Sequence, residues 1–115
     1  MDYIDGFLVA VATDKREDYR RCAEQGAVWF KEFGALSVVE CWGDDVPEGK
    51  LTSFPMAVKL EPGEVVVFSW IRWPSKQVRD EGMKKIMADE RMKSMQMPFD
   101  GNRMIFGGFQ VIVDA

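Results

Sequence analysis

Three charged residues stand inside runs that are otherwise apolar: Asp5 in "YIDGFLVAV" (3–11), Glu40 in "LSVVECWG" (36–43) and Arg72 in "VVVFSWIRW" (65–73). A carboxylate in such surroundings loses hydration, its pKa rises, and it can act as a general acid or base. Trp42, Trp70, Phe7 and Phe68 lie in the same runs and could form a slot for a flat apolar ligand, or equally a packed interface core. The chain contains no histidine, which removes the commonest general base, the commonest transition-metal ligand and the usual haem ligand. Chemistry therefore rests on carboxylates, arginines, thiols, aromatics or a bound group. Cys22 and Cys41 have no second member at metal-ligand spacing and read as small buried hydrophobes. The acidic turn "GDDVPEGK" (43–50) lacks the ligand spacing of a calcium loop. Met83, Met87, Met92, Met95 and Met97 read as packing of a helix rather than as a soft-metal site. These patterns assign no catalytic residue, no metal ligand set and no cofactor.

The elements that must position these residues follow from periodicity. "YIDGFLVAV" alternates as a strand and is apolar on both faces. Asp14, with Glu17 three residues on, predicts a capped helix over 15–33 that carries Tyr19, Cys22, Ala23, Gly26, Phe30 and Phe33 on one face. Gly34 is its natural C′ residue. "LSVVECWG" is the second strand. The stretch 44–64 has three prolines and two glycines and predicts a long connection, with a short extended piece at 56–60, that covers a sheet edge or a pocket mouth. The third strand is "VVVFSWIRW", and Pro74 ends it. Ser75 N-caps a second helix whose buried stripe is Val78, Gly82, Met83, Ile86 and Met87. The last strand is "RMIFGGFQVIV" (103–113), with a bulge expected at Gly107-Gly108. The order β-α-β-β-α-β predicts an α+β fold: a ferredoxin-like antiparallel sheet with two helices on one face. At 115 residues one domain is expected, with roughly 65% of the unfolded surface buried.

Parity divides each strand into two sets. One set is small or β-branched (Ile4, Gly6, Leu8, Ala10; Ser37, Val39, Cys41; Val65, Val67, Ser69, Ile71) and is expected to meet the helices. The other holds Asp5, Phe7 and Val9; Val38, Glu40 and Trp42; Val66, Phe68, Trp70 and Arg72; Met104 and Phe106 join it. On this division Asp5 and Arg72 pair, and Glu40 lies among Trp42, Phe68 and Trp70. Two helices leave that second face uncovered, and an aromatic floor does not stay wet. Two aromatics per protomer, at ~150 Å² each and ~25 cal/mol per Å², give about 15 kcal/mol over a dimer, against an association cost on the order of 4–15 kcal/mol. A twofold homodimer with sheets face to face is expected; the rival is a monomer whose 44–64 segment folds over the sheet.

"DGFLVAV", "VVECWGDDVPEGK", "VVFSWIRWPSK", "MKKIMADERMK" and "MPFDGNRMIFGGF" resemble the bacterial YbaA-like family, a domain-of-unknown-function family, over essentially the whole chain. The resemblance implies a dimeric α+β barrel. It supplies no catalytic residue set, and fold-level analogy does not choose a reaction.

The net charge of −4 lacks the basic field that drives nucleic-acid binding, and no apolar run approaches the ~20 residues of a membrane span. "FGGFQVIV" superficially looks like an RNA-recognition strand, but in RNA-recognition domains the aromatics stand on the central first and third strands. The N-terminus lacks the basic region of a signal peptide, so a cytoplasmic protein with no nucleic-acid or membrane partner is expected. The reading is a homodimer binding a small apolar or aromatic molecule within its barrel, at Asp5, Phe7, Glu40, Trp42, Phe68, Trp70 and Arg72. Its alternatives are a cofactor-independent oxygenase or isomerase using a barrel carboxylate, and a purely structural dimer.

Overall fold

The computed structural model describes residues 1–115. Four strands form one antiparallel sheet: β1 (Tyr3–Ala12), β2 (Ser37–Trp42), β3 (Glu64–Trp73) and β4 (Ile105–Gln110), in the order β2-β3-β1-β4. The two long apolar runs take the centre, where both edges of each strand are hydrogen-bonded. Helices α1 (Arg16–Glu32) and α3 (Lys76–Ala88) lie on one face, with the one-turn helix α2 (Phe54–Ala57) and the short α4 (Glu90–Ser94) between the larger elements. This is the ferredoxin-like α+β arrangement that the element order predicts.

The helix ends show which local signals carried. Gly34 has φ +114° just beyond α1, and its N–H donates to the Lys31 carbonyl at 3.2 Å. The Ser75 hydroxyl accepts from the Val78 N–H at 3.1 Å and starts α3. The expected capping box at Asp14 does not form: a 3-10 turn occupies Thr13–Lys15, and Glu17 instead accepts from Arg20 Nε at 2.9 Å. Asp89 breaks the second helical stretch, because its carboxylate accepts from the Arg91 N–H at 2.8 Å and caps α4. Met87 is consequently solvent-exposed on α3, not part of its buried stripe.

The 44–64 connection contains no extended piece at 56–60. Ser53 caps α2 by accepting from the Met56 N–H at 3.1 Å, and Val58 then packs fully buried against Ala10 and Val66 on the face away from α1 and α3. Beyond this corner α2 meets that face through Phe54, which packs edge-on against Phe68. Strand β4 is shorter than 103–113 and has no bulge, for Gly107 and Gly108 pair in unbroken register with Gly6 and Asp5. The glycines serve side-chain space instead. A Cβ on Gly107 would stand 3.5 Å from the Phe109 ring, and one on Gly108 would collide with Arg79 and the Tyr3 hydroxyl.

Register decides the faces. Asp5 pairs with Ile71, Phe7 with Ser69 and Val9 with Val67; Val38, Glu40 and Trp42 pair with Ile71, Ser69 and Val67. Tyr3, Ile71 and Trp73 pack with Phe7, Phe30, Val38 and Val78, while Val9, Val11 and Val67 pack with Tyr19 and Trp42. The division of β3 is as expected, but β1 and β2 are inverted. Asp5, Phe7, Glu40 and Trp42 face the helices, and Phe106 follows Phe7 while Met104 packs on the Val9–Tyr19 cluster. The physical reason is volume. A helix layer stands well off a sheet, and the bulky set Tyr3, Phe7, Trp42 and Trp73 fills that gap, whereas Gly6 and Ala10 on the other side are met closely by Phe109 and Val58.

Candidate functional site

The seven residues that sequence reasoning gathered fall into three places. Asp5 is buried beneath α3, where its Oδ2 accepts from Trp73 Nε1 at 3.0 Å and Arg79 Nε lies 3.3 Å from its Oδ1. Arg79 also donates to the Tyr3 hydroxyl at 2.9 Å and stacks over that ring, 4.7 Å from its centroid. Burial raises the Asp5 pKa, and the Arg79 charge partly opposes the rise. The expected Asp5–Arg72 pair is absent, because the two side chains leave the sheet on opposite faces. Arg72 instead donates to Asp2 at 2.6 Å and Asp114 at 2.5 Å, binding the two chain ends together.

Phe68 and Trp70 occupy the open face. Their rings meet at 5.7 Å in an edge-on contact, and Phe54 of α2 approaches Phe68 at 5.9 Å. Ile105 and Phe109 of β4 extend this surface, and both are exposed. Phe7 has no part in it; on the helix side it stacks with Phe106 at 6.5 Å.

Glu40 and Trp42 stand together in a third place, a groove of about 320 Å³ between α1 and the edge strand β2. The helix contributes residues spaced by three and four, among them Arg16, Tyr19 and Ala23, and the strand contributes Val38, Glu40 and Trp42. Tyr19 donates to Glu40 Oε1 at 2.7 Å, and Ser69 stands opposite Glu40 on the adjacent strand. Water reaches Glu40 along the groove, while protein encloses the carboxylate elsewhere. That enclosure raises its pKa despite the nearby Tyr19 and Ser69 hydroxyls, and the Tyr19 phenol is pushed well up by burial and then by the Glu40 charge. The Arg16 guanidinium lies 5.4 Å from the Trp42 ring centroid at the groove mouth. Sequence reasoning treated Tyr19 only as a core stripe residue and missed Arg16; their i, i+3 spacing at the start of α1 was the available signal.

Cys22 and Cys41 are free thiols, and no group of three or more Cys, Asp or Glu side chains converges as a cation site. No helix is long and apolar enough to cross a membrane.

With this geometry in hand, similarity to known proteins can be placed. Residues 2–101 match the family model described as "Protein of unknown function (DUF1428)". The chain is 60% identical to "Uncharacterized protein YbaA" of Escherichia coli K12 over 116 residues, covering 99% of each chain, and to the protein of the same description in Shigella flexneri to the same extent. The solved structure of Rv0793 from Mycobacterium tuberculosis superposes with a TM-score of 0.55 at 13% identity, covering 100% of this chain and 99% of that one, which is likeness of fold alone. The chain therefore belongs to the DUF1428 family, a family of unknown function, and is similar over nearly its whole length to the YbaA proteins.

Proposed function

We propose that the protein is a single-domain cytoplasmic homodimer whose open sheet faces close on each other around an interior that takes a small apolar or aromatic molecule. The observation that carries this reading is the exposed row on the face opposite α1 and α3: Phe68, Ile105 and Phe109, with Trp70 partly covered beside them. A contiguous apolar surface of this kind on a small chain marks an association or ligand surface. The α2 segment covers the Ala10–Val66 corner and meets Phe68 through Phe54, yet Phe68, Ile105 and Phe109 stay exposed, so the monomeric alternative leaves most of the row wet.

A binding role is favoured over acid–base catalysis in that interior. Asp2 and Glu64 on that side of the sheet are held by Arg72 and Arg103, Asp5 and Glu40 lie across the sheet, and Asp44 and Asp45 beside Phe54 and Phe68 are exposed residues of the turn after β2. The two free thiols suit a reducing compartment. Light scattering at low micromolar concentration should give about twice the 13.2 kDa chain mass, and native mass spectrometry of the gently purified dimer should carry a small-molecule adduct. A monomer mass refutes the assembly, and a dimer with no adduct supports a purely structural interface.

A further inference from the structure

The groove between α1 and β2 lies on the helix side of the sheet, across from the proposed dimer interior, so the two sites succeed or fail separately. Its volume of about 320 Å³ is at the lower end of the roughly 300–1,000 Å³ typical of ligand pockets. The space exists because α1 presents Ala23 and Ala27 opposite Val38 and Val67, four side chains too short to close the gap at the sheet's edge. Its walls are thus mostly apolar, and of the four charged side chains that line it Arg20 and Glu24 pair with each other, which leaves Arg16 and Glu40 as the two polar points.

One point is cationic. Arg20, Arg21, Arg72, Arg79, Arg91 and Arg103 each form a salt bridge with a carboxylate. Arg16 forms none; its guanidinium rests over the Trp42 indole with its edge donors free. The other point is Glu40. Its carboxylate accepts from the Tyr19 hydroxyl, yet two oxygens offer about four acceptor positions, leaving room for a further donor. Glu40 and Trp42 are two residues apart on one strand face, so Glu40 and the Arg16–Trp42 contact are neighbours along β2.

We propose that this groove is a binding site for a small aromatic carboxylic acid with a hydroxyl at the far end of the ring. The ligand carboxylate pairs with Arg16, the ring lies against Ala23, Val38 and Val67, and the hydroxyl donates to Glu40. The free arginine, the apolar walls and the carboxylate acceptor together select an anion at one end, a flat body and a donor at the other.

The test uses 4-hydroxybenzoate as probe, followed through the indole N–H resonance of Trp42, which is assigned by comparison with Trp42→Phe. The wild-type chain should give a saturable shift of that resonance. Benzoate lacks the donor and phenol lacks the anion, so each should bind at least about tenfold more weakly, the scale of one hydrogen bond to a charged group. Arg16→Gln removes a solvent-exposed side chain with no ion pair, leaves the fold intact and should weaken 4-hydroxybenzoate to the same degree. The proposal is overturned if the Trp42 resonance does not move at tens of millimolar probe, if Arg16→Gln binds as tightly as wild type, or if the shifted indole is Trp70 on the open face.

Discussion

Replacing Phe68 by alanine tests the proposed dimer at the centre of its contact. The ring is 43% exposed in the isolated protomer, so of the ~200 Å² of an aromatic side chain roughly 85 Å² is left for a partner to cover. At ~25 cal/mol per Å² this is about 2 kcal/mol per copy and about 4 kcal/mol for the twofold pair, close to a thousandfold in dissociation constant. The rest of the ring packs on Phe54 and Trp70. Its loss costs the protomer about 1–2 kcal/mol, under half the cost of emptying a fully buried phenylalanine site. The expected variant is folded, melts somewhat lower, and has its monomer–dimer midpoint moved by about three decades. Sedimentation velocity across a nanomolar to millimolar dilution series measures the midpoint, with circular dichroism confirming the fold. A midpoint within a few-fold of wild type, together with a lowered melting temperature, would show that no partner covers Phe68 and would refute the face-to-face arrangement.

The two buried helix glycines should respond in opposite directions. A Cβ on Gly82 would stand 2.5 Å from the Trp73 ring and 2.7 Å from the Phe33 carbonyl, so Gly82→Ala should destabilise by about 1–3 kcal/mol. A Cβ on Gly26 meets nothing within 4 Å, so Gly26→Ala should stabilise by about 0.5–1 kcal/mol through helix propensity; urea midpoints separate the two. Glu40 and Glu64 should titrate with opposite signs. Because burial raises the folded-state pKa of Glu40, its contribution is complete below the ordinary value of 4.5 and is lost as pH rises through the raised value. Glu40→Gln should therefore melt higher than wild type near neutral pH and level with it at about pH 4. Arg103 lowers the Glu64 pKa through paired bonds of 2.8 Å, so that contribution is present above 4.5 and fades as pH falls; Glu64→Gln should melt lower near neutrality and lose its deficit in acid. Finally, Trp73→Phe removes the indole N–H from the buried Asp5 carboxylate and should cost about 1.5–3 kcal/mol beyond its packing loss. A double-mutant cycle with Asp5→Asn should recover that coupling, and additive effects would mean that the hydrogen bond contributes nothing.

Legibility in the sequence follows the range of the interaction involved. Ser75 and Gly34 act within a turn of their own position, and their capping roles are readable as spacing. Asp89 acts just as locally, but a helix-compatible stretch on both sides of it conceals the break. The Gly107-Gly108 pair illustrates the opposite case. Its reason is Phe109 on one face and the Arg79–Tyr3 contact on the other, and Arg79 comes from an element that no strand pattern can place. The groove at Glu40 was half visible: the carboxylate in an apolar strand stood out, while Tyr19 and Arg16 became its neighbours only through the packing of α1 on β2.

The sequence by itself determined the order of strands and helices, the antiparallel sheet, and the division of every strand into two alternating sets, because these depend on periods of two and 3.6 and on short-range capping. Tertiary structure alone decided which set of one strand joins which set of the next. Pairing register is a long-range choice, and a shift of one residue exchanges the faces completely. That single degree of freedom keeps Phe68, Trp70 and Arg72 on the open face and carries Asp5, Phe7, Glu40 and Trp42 beneath the helices, dividing one expected pocket into an open apolar face, a buried Asp5 contact and a separate groove at Glu40 and Trp42.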